Sequence, residues 1–147
     1  MYAGRGICLA VAVSIGGAAS AEELIQATLH KMPYCTCCEG HAEHLRQHGF
    51  DVEVKVTENL TPLRRAEGVP EALEGCHTIL VGGYVVEGHV SAESIKRLLT
   101  ERPEGVKGLA MPGMPTGVPG MPGEHEGPID VYAFGPGAAP PIVFARE

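Results

Sequence analysis

Hydrophobic positions along the chain repeat with two periods. Ile25, Ala27 and Leu29 alternate with polar neighbours, as do Val52, Val54 and Val56 in FDVEVKV. A period of two marks a strand with one buried face, so residues 24–30 and 50–56 are predicted strands. Between them a helix is predicted from Cys37 to His48, closed by Gly49 as its C-terminal cap. Thr61 as N-cap and Pro62 at the first helical position predict a short helix ending near Gly68, and Pro70 starts a brief helical turn in PEALEG. HTILVGGYVVEGHV reads as two strands around Gly82-Gly83. Ser91 then caps a helix with Ile95, Leu98 and Leu99 on one stripe, stopped by Pro103. The predicted order is β-α-β-α-β-β-α.

After Pro103 the periodicity disappears. GLAMPGMPTGVPGMPGEHEGP is rich in Gly, Pro and Met and has neither helical nor strand patterning. Residues 108–128 are therefore expected to form a loop, and ordered loops of that length usually carry function. IDVYAFG alternates again, and PPIVFARE is expected to pair with it as an added hairpin on the sheet.

The N-terminus is patterned differently. Arg5 precedes an apolar run from Ile7 to Ile15, followed by Ala19-Ser20-Ala21. That is the layout of a secretory signal, predicted to be cleaved after Ala21. The run is too short to span a bilayer, which takes about 20 residues. Residues 22–147 are then expected to form a single periplasmic domain with no membrane span. Cys8 leaves with the signal, and Cys35, Cys37, Cys38 and Cys76 remain in an oxidising compartment. The net charge of -7 argues against nucleic acid as a partner.

The candidate chemistry is concentrated in MPYCTCCEGHAEH, residues 32–44, where three cysteines crowd one turn and two histidines follow. Metal ligation, thiol redox chemistry and a disulfide with a thiol left over are the options. Cys35 and Cys38 form C-x-x-C between the first strand and the first helix. That is where a thioredoxin-like fold holds its redox pair, with the first thiol at a helix N-terminus that favours the thiolate. In such a fold the segment entering the third strand lies beside this turn, so Cys76 is expected to complete the cluster.

The phrases YCTCCEGHAEHLRQHGFDVEV, GVPEALEGCHTILVGGYVVEGHV and GLAMPGMPTGVPGMPG together resemble the periplasmic CopG-like copper-resistance proteins, a family first defined as a domain of unknown function. The resemblance implies a thioredoxin-like fold and a Cys-X-Cys-Cys site binding several copper ions through bridging thiolates. It also suggests copper detoxification or redox chemistry. By position the motif falls on Cys35, Cys37 and Cys38, with Cys76-His77, Glu87 to Val90, and Met111, Met114 and Met121 as further family phrases. Two positions depart from the pattern: His41 stands where the family commonly has tryptophan, and Val118 where it has serine. The first departure removes an aromatic cover or adds a ligand.

The donor types agree with that implication. Soft thiolates and thioethers select Cu(I), and imidazole suits copper in either state. Three thiolates on one turn fit one tetrahedral ion poorly but can bridge several. A structural zinc site would prefer two spaced pairs of ligands. The expected metal ligands are Cys35, Cys37, Cys38, Cys76, His89, Met114, Met121 and His41, holding more than one Cu(I), with the Met loop as a lid. His44 is a weaker candidate, and His48 is expected to be solvated. His30 is taken as structural, His125 as part of the loop, and His77 as pointing away from Cys76. The leading function is copper binding in resistance, with Cu(I)/Cu(II) interconversion a further activity and an exporter or cuproprotein a potential partner. The alternatives are a thiol–disulfide oxidoreductase using Cys35 and Cys38, which the extra Cys37 disfavours, and a simple copper carrier.

Overall fold

The computed structural model describes residues 23–137 and 139–147, so the predicted signal, its cleavage site and Cys8 lie outside the described residues. The elements are β1 (Ile25–Lys31), α1 (Thr36–Gln47), β2 (Phe50–Val56), α2 (Thr61–Glu67), a 3-10 turn (Glu71–Leu73), β3 (His77–Val81), β4 (Tyr84–Glu87), α3 (Ala92–Glu101), β5 (Gly108–Ala110), β6 (Asp130–Phe134) and β7 (Ile142–Arg146). The strands form one mixed sheet in the order β2-β1-β3-β4-β5-β6-β7. β1 and β2 are parallel, with α1 as the crossover, whereas β3 runs antiparallel to both β1 and β4.

The alternation read from the sequence selects the buried faces. Ala27, Leu29, Val52, Ile79, Val81 and Val86 meet Cys38, Ala42 and Leu45 of α1 and Ile95 and Leu98 of α3 in the main core. Each such side chain removed from water contributes roughly 1.5–3 kcal/mol. Val85 faces the other way and packs with Leu73, Ala110 and Phe134 in a smaller cluster.

Element ends differ in detail from the expectation. α2 has Leu60, not Thr61, at its N-cap position. The Asn59 side chain, from just outside, accepts from the Thr61 amide at 2.9 Å. α3 is capped as expected, Ser91 Oγ accepting from the Ser94 amide at 3.2 Å.

The region expected to be loop from residue 108 begins instead with β5, which pairs parallel to β4. Three residues, Gly-Leu-Ala, are too few to show a period, so only the neighbouring strand reveals them. β5 in turn carries the predicted β6–β7 hairpin, which is antiparallel and extends the sheet.

Candidate metal centre

Cys35 is the N-cap residue of α1 and Cys37 and Cys38 lie in its first turn. The chain reaches them through Tyr34, whose φ of 62° is uncommon for a bulky residue and turns the backbone from β1 into the helix. Cys38 points into the core and is fully buried. Cys35 and Cys38 are joined by a disulfide with their Cα atoms 5.5 Å apart. Cys37 Sγ lies 3.5 Å from Cys35 Sγ, and Cys76 Sγ lies 3.9 Å from Cys38 Sγ. All four sulfurs fall within 4.8 Å of one another.

Cys76 comes from another part of the chain, and a buried ion pair fixes it there. Glu87 on β4 is fully buried and accepts from the Gly75 amide at 2.9 Å, from the Thr78 hydroxyl, and from Arg64 of α2, whose Nη2 is 3.0 Å away. Arg64 also donates to the Gly75 carbonyl at 2.6 Å. Both backbone polar groups of Gly75 are thereby clamped one residue before the thiol. Gly75 must be glycine, because a Cβ there would sit 2.6 Å from the Gly88 backbone.

Two imidazoles converge on Cys76. His77 Nδ1 and His89 Nε2 each lie 3.1 Å from its sulfur, and sulfur and nitrogens form a second candidate ligand set within 4.8 Å. Behind them, His41 Nδ1 is 2.7 Å from His77 Nε2, and His41 Nε2 is 2.9 Å from the Val90 carbonyl oxygen. Burial, with His89 as a lesser cause, drives His41 down to about 3, and burial holds His77 well below the usual imidazole range. Burial lowers His89 too, opposed by its bond to Pro119. Burial, with Cys37 adding to it, pushes the Cys76 thiol up to about 12. The metal-free centre is therefore neutral and holds its proton on sulfur. Removing that proton leaves one thiolate and two imidazole nitrogens facing a common point.

The Gly/Pro/Met segment lies against this centre on its histidine side. The Pro119 carbonyl accepts from His89 Nδ1 at 2.7 Å. Gly120, at φ 83°, backs onto Gly40 of α1, where a Cβ would lie 3.0 Å from the Gly120 oxygen. Two glycines thus let the loop touch the helix that bears the cysteines. Val118 and Met111 are buried, and Met121 is half-buried against the main core, as are Cys35, Cys37 and Cys76. Met114 is 63 % exposed.

The expected set is thus only partly gathered. Cys35, Cys37, Cys38, Cys76 and His89 come together. His41 reaches the centre, but both its ring nitrogens are engaged elsewhere, so it supports His77 and offers no free donor atom. His77, expected to point away, is in the centre. Strict alternation from Cys76 would send His77 to the opposite face, but the ladder begins at His77, which shares its buried face with Ile79 and Val81. His44 accepts from the Ala92 amide at 3.3 Å, and His48 is exposed as expected.

A thiol-rich turn joined by imidazoles is a donor set for a soft cation. Two solved structures described as copper resistance protein CopG are similar to this chain in fold. Form 2 has a TM-score of 0.77 and 32% sequence identity, the match covering 85% of this chain and 99% of that one. Form 1 has a TM-score of 0.75 at 32% identity, covering 85% and 98%. The chain belongs to the CopG copper-resistance family. The family described as "Protein of unknown function, DUF411" matches residues 73–121, the stretch that holds Cys76, His77, His89 and the Met-Pro-Gly segment. Among curated protein sequences none matches. The DUF411 match thus spans Cys76, His77 and His89, and the likeness to the CopG structures extends over 85% of the chain.

Proposed function

We propose that the protein is exported to the periplasm and there takes up Cu(I) as cargo in copper resistance. More than one ion would be held by bridging thiolates of Cys35, Cys37, Cys38 and Cys76. The observation that carries this reading is the mutual approach of four sulfurs within 4.8 Å, contiguous with two imidazole nitrogens on Cys76. The kinship with copper resistance proteins supports the choice of metal. His89 and His77 complete the set, with Met121 at its edge. Met114 would join only if the loop moved. We read β2-β1-β3-β4, with α1 leaving β1 at the cysteine turn, as a thioredoxin-like core extended by β5–β7.

Uptake of this kind needs the reduced protein, since the Cys35–Cys38 disulfide removes two of the four thiols. That disulfide also supports the second reading, a thiol–disulfide oxidoreductase, and ties copper occupancy to redox state, which is where Cu(I)/Cu(II) interconversion would enter. Delivery to an exporter or cuproprotein would follow release. The two readings separate cleanly in one experiment. The reduced protein should develop ultraviolet thiolate-to-copper charge-transfer absorption on adding Cu(I) and should reduce insulin disulfides poorly. Efficient insulin reduction with indifference to copper would establish the oxidoreductase instead.

A further inference from the structure

The orientation of the His77 ring follows from carbonyl groups that can only accept. The Val90 oxygen, 2.9 Å from His41 Nε2, requires the proton on that nitrogen. His41 is fully buried and its two ring nitrogens meet only the Val90 carbonyl and the His77 ring, with no carboxylate of the described residues against them to hold a second proton, so its Nδ1 carries a lone pair. The 2.7 Å contact from that lone pair to His77 Nε2 then requires the proton on His77 Nε2. His77 is fully buried too, between His41 and Cys76 with no carboxylate of the described residues against it, and its Nδ1 lone pair faces Cys76 Sγ at 3.1 Å. His89 reaches the same state by its own route. The Pro119 carbonyl accepts from His89 Nδ1–H, and the Nε2 lone pair faces the same sulfur at 3.1 Å. One S–H has a single proton to offer two lone pairs, so the second imidazole nitrogen is left for a cation.

We propose that His41 is a positioning residue that fixes His77 as its Nε2–H tautomer and so keeps the Nδ1 lone pair aimed at the Cys76 sulfur. His41 binds no metal itself. Without its acceptor, His77 is free to carry the proton on Nδ1, where it donates to the Cys76 sulfur and blocks the direction a metal needs. Groups that orient a metal-binding histidine commonly change metal affinity 10–100-fold when removed. The part of the proposal that concerns affinity rests on the copper reading; the tautomer assignment does not.

Long-range proton–nitrogen correlation spectra of the reduced, metal-free protein with labelled histidine read the tautomers directly. The expected wild-type result is His77 protonated at Nε2 alone. His41→Leu should convert His77 wholly or partly to the Nδ1–H form and weaken Cu(I) binding by about 10–100-fold. His41→Asn, whose side-chain oxygen restores an acceptor near the Nδ1 position, should recover both. Should His41→Leu not fold, the wild-type and His41→Asn spectra still decide. A wild-type His77 carrying its proton on Nδ1, or a folded His41→Leu with unchanged tautomer and copper affinity, overturns the proposal. The predicted tautomers in a protein that binds no copper would uphold the assignment and overturn the copper reading instead.

Discussion

Cys38 Sγ and Cys76 Sγ lie 3.9 Å apart although 38 residues separate them. The approach results from β3 pairing with β1, the strand that leads into the cysteine turn. It makes Cys76 part of the thiol cluster by topology. Cys76→Ser should therefore lower copper stoichiometry or abolish the cluster while the metal-free fold survives, since serine is close in size and its hydroxyl is a poor Cu(I) donor. Far-ultraviolet circular dichroism checks the fold, and X-ray absorption should show fewer sulfurs per copper. An unchanged sulfur count would confine the site to Cys35, Cys37 and Cys38.

Glu87 and Arg64 hold the Gly75 backbone from both sides. Glu87→Ala breaks the buried pair and leaves Arg64 only the partly exposed Glu74 at 3.2 Å, so the loss should be substantial but below the roughly 3–5 kcal/mol of a buried charge left wholly unpaired. Thermal unfolding should record a correspondingly large drop in Tm. Cysteine alkylation should also be faster at Cys76, whose neighbouring segment loses its clamp. A Tm near that of the parent would show that the pair contributes little.

Acid should destabilise the metal-free protein. His41 is held at about 3 and His77 well below 6.5, so the unfolded chain binds more protons than the folded one below that pH. The stability tied to the neutral rings is complete above 6.5 and is lost as the pH falls toward 3. At pH 5 His41 alone should remove roughly 2 kcal/mol, at 1.36 kcal/mol per unit. Denaturant unfolding between pH 7 and 5 measures this, and the slope should be about one proton shallower in His41→Leu. A flat profile would contradict neutral, buried imidazoles.

The cysteine turn was legible in the sequence because residue type and spacing alone mark it. Cys76 was legible because the β-α-β-α-β-β-α order predicts which strand arrives beside that turn. His77 was not, because its face depends on where the ladder begins, and Cys76 stands just outside it. The role of His41 was hidden for a different reason. It is defined by the Val90 carbonyl and by His77, and no local pattern encodes such partners. Residues 108–110 were read as loop because three residues cannot show a period. The Arg64–Glu87 pair joins α2 to β4 across an interior that the two charges, as isolated letters, do not announce.

Gly120→Ala should unseat the Gly/Pro/Met segment. Gly120 sits at φ 83°, and a Cβ would meet the Gly40 carbonyl carbon at 2.8 Å. Displacement breaks the Pro119–His89 bond, so amide exchange near Met121 should speed up and bound copper should be released faster. Unaltered exchange and release kinetics would leave the segment without influence on the centre.

An anaerobic copper titration of the fully reduced protein decides whether the four cysteines build a multi-copper thiolate centre. Copper bound per chain and free thiols are followed together. More than one Cu(I) should bind at saturation, with all four thiols protected as the metal fills. Uptake should be sharply reduced in the Cys35–Cys38 disulfide form. A single ion at saturation, or zinc bound more tightly than copper under the same conditions, would contradict such a centre.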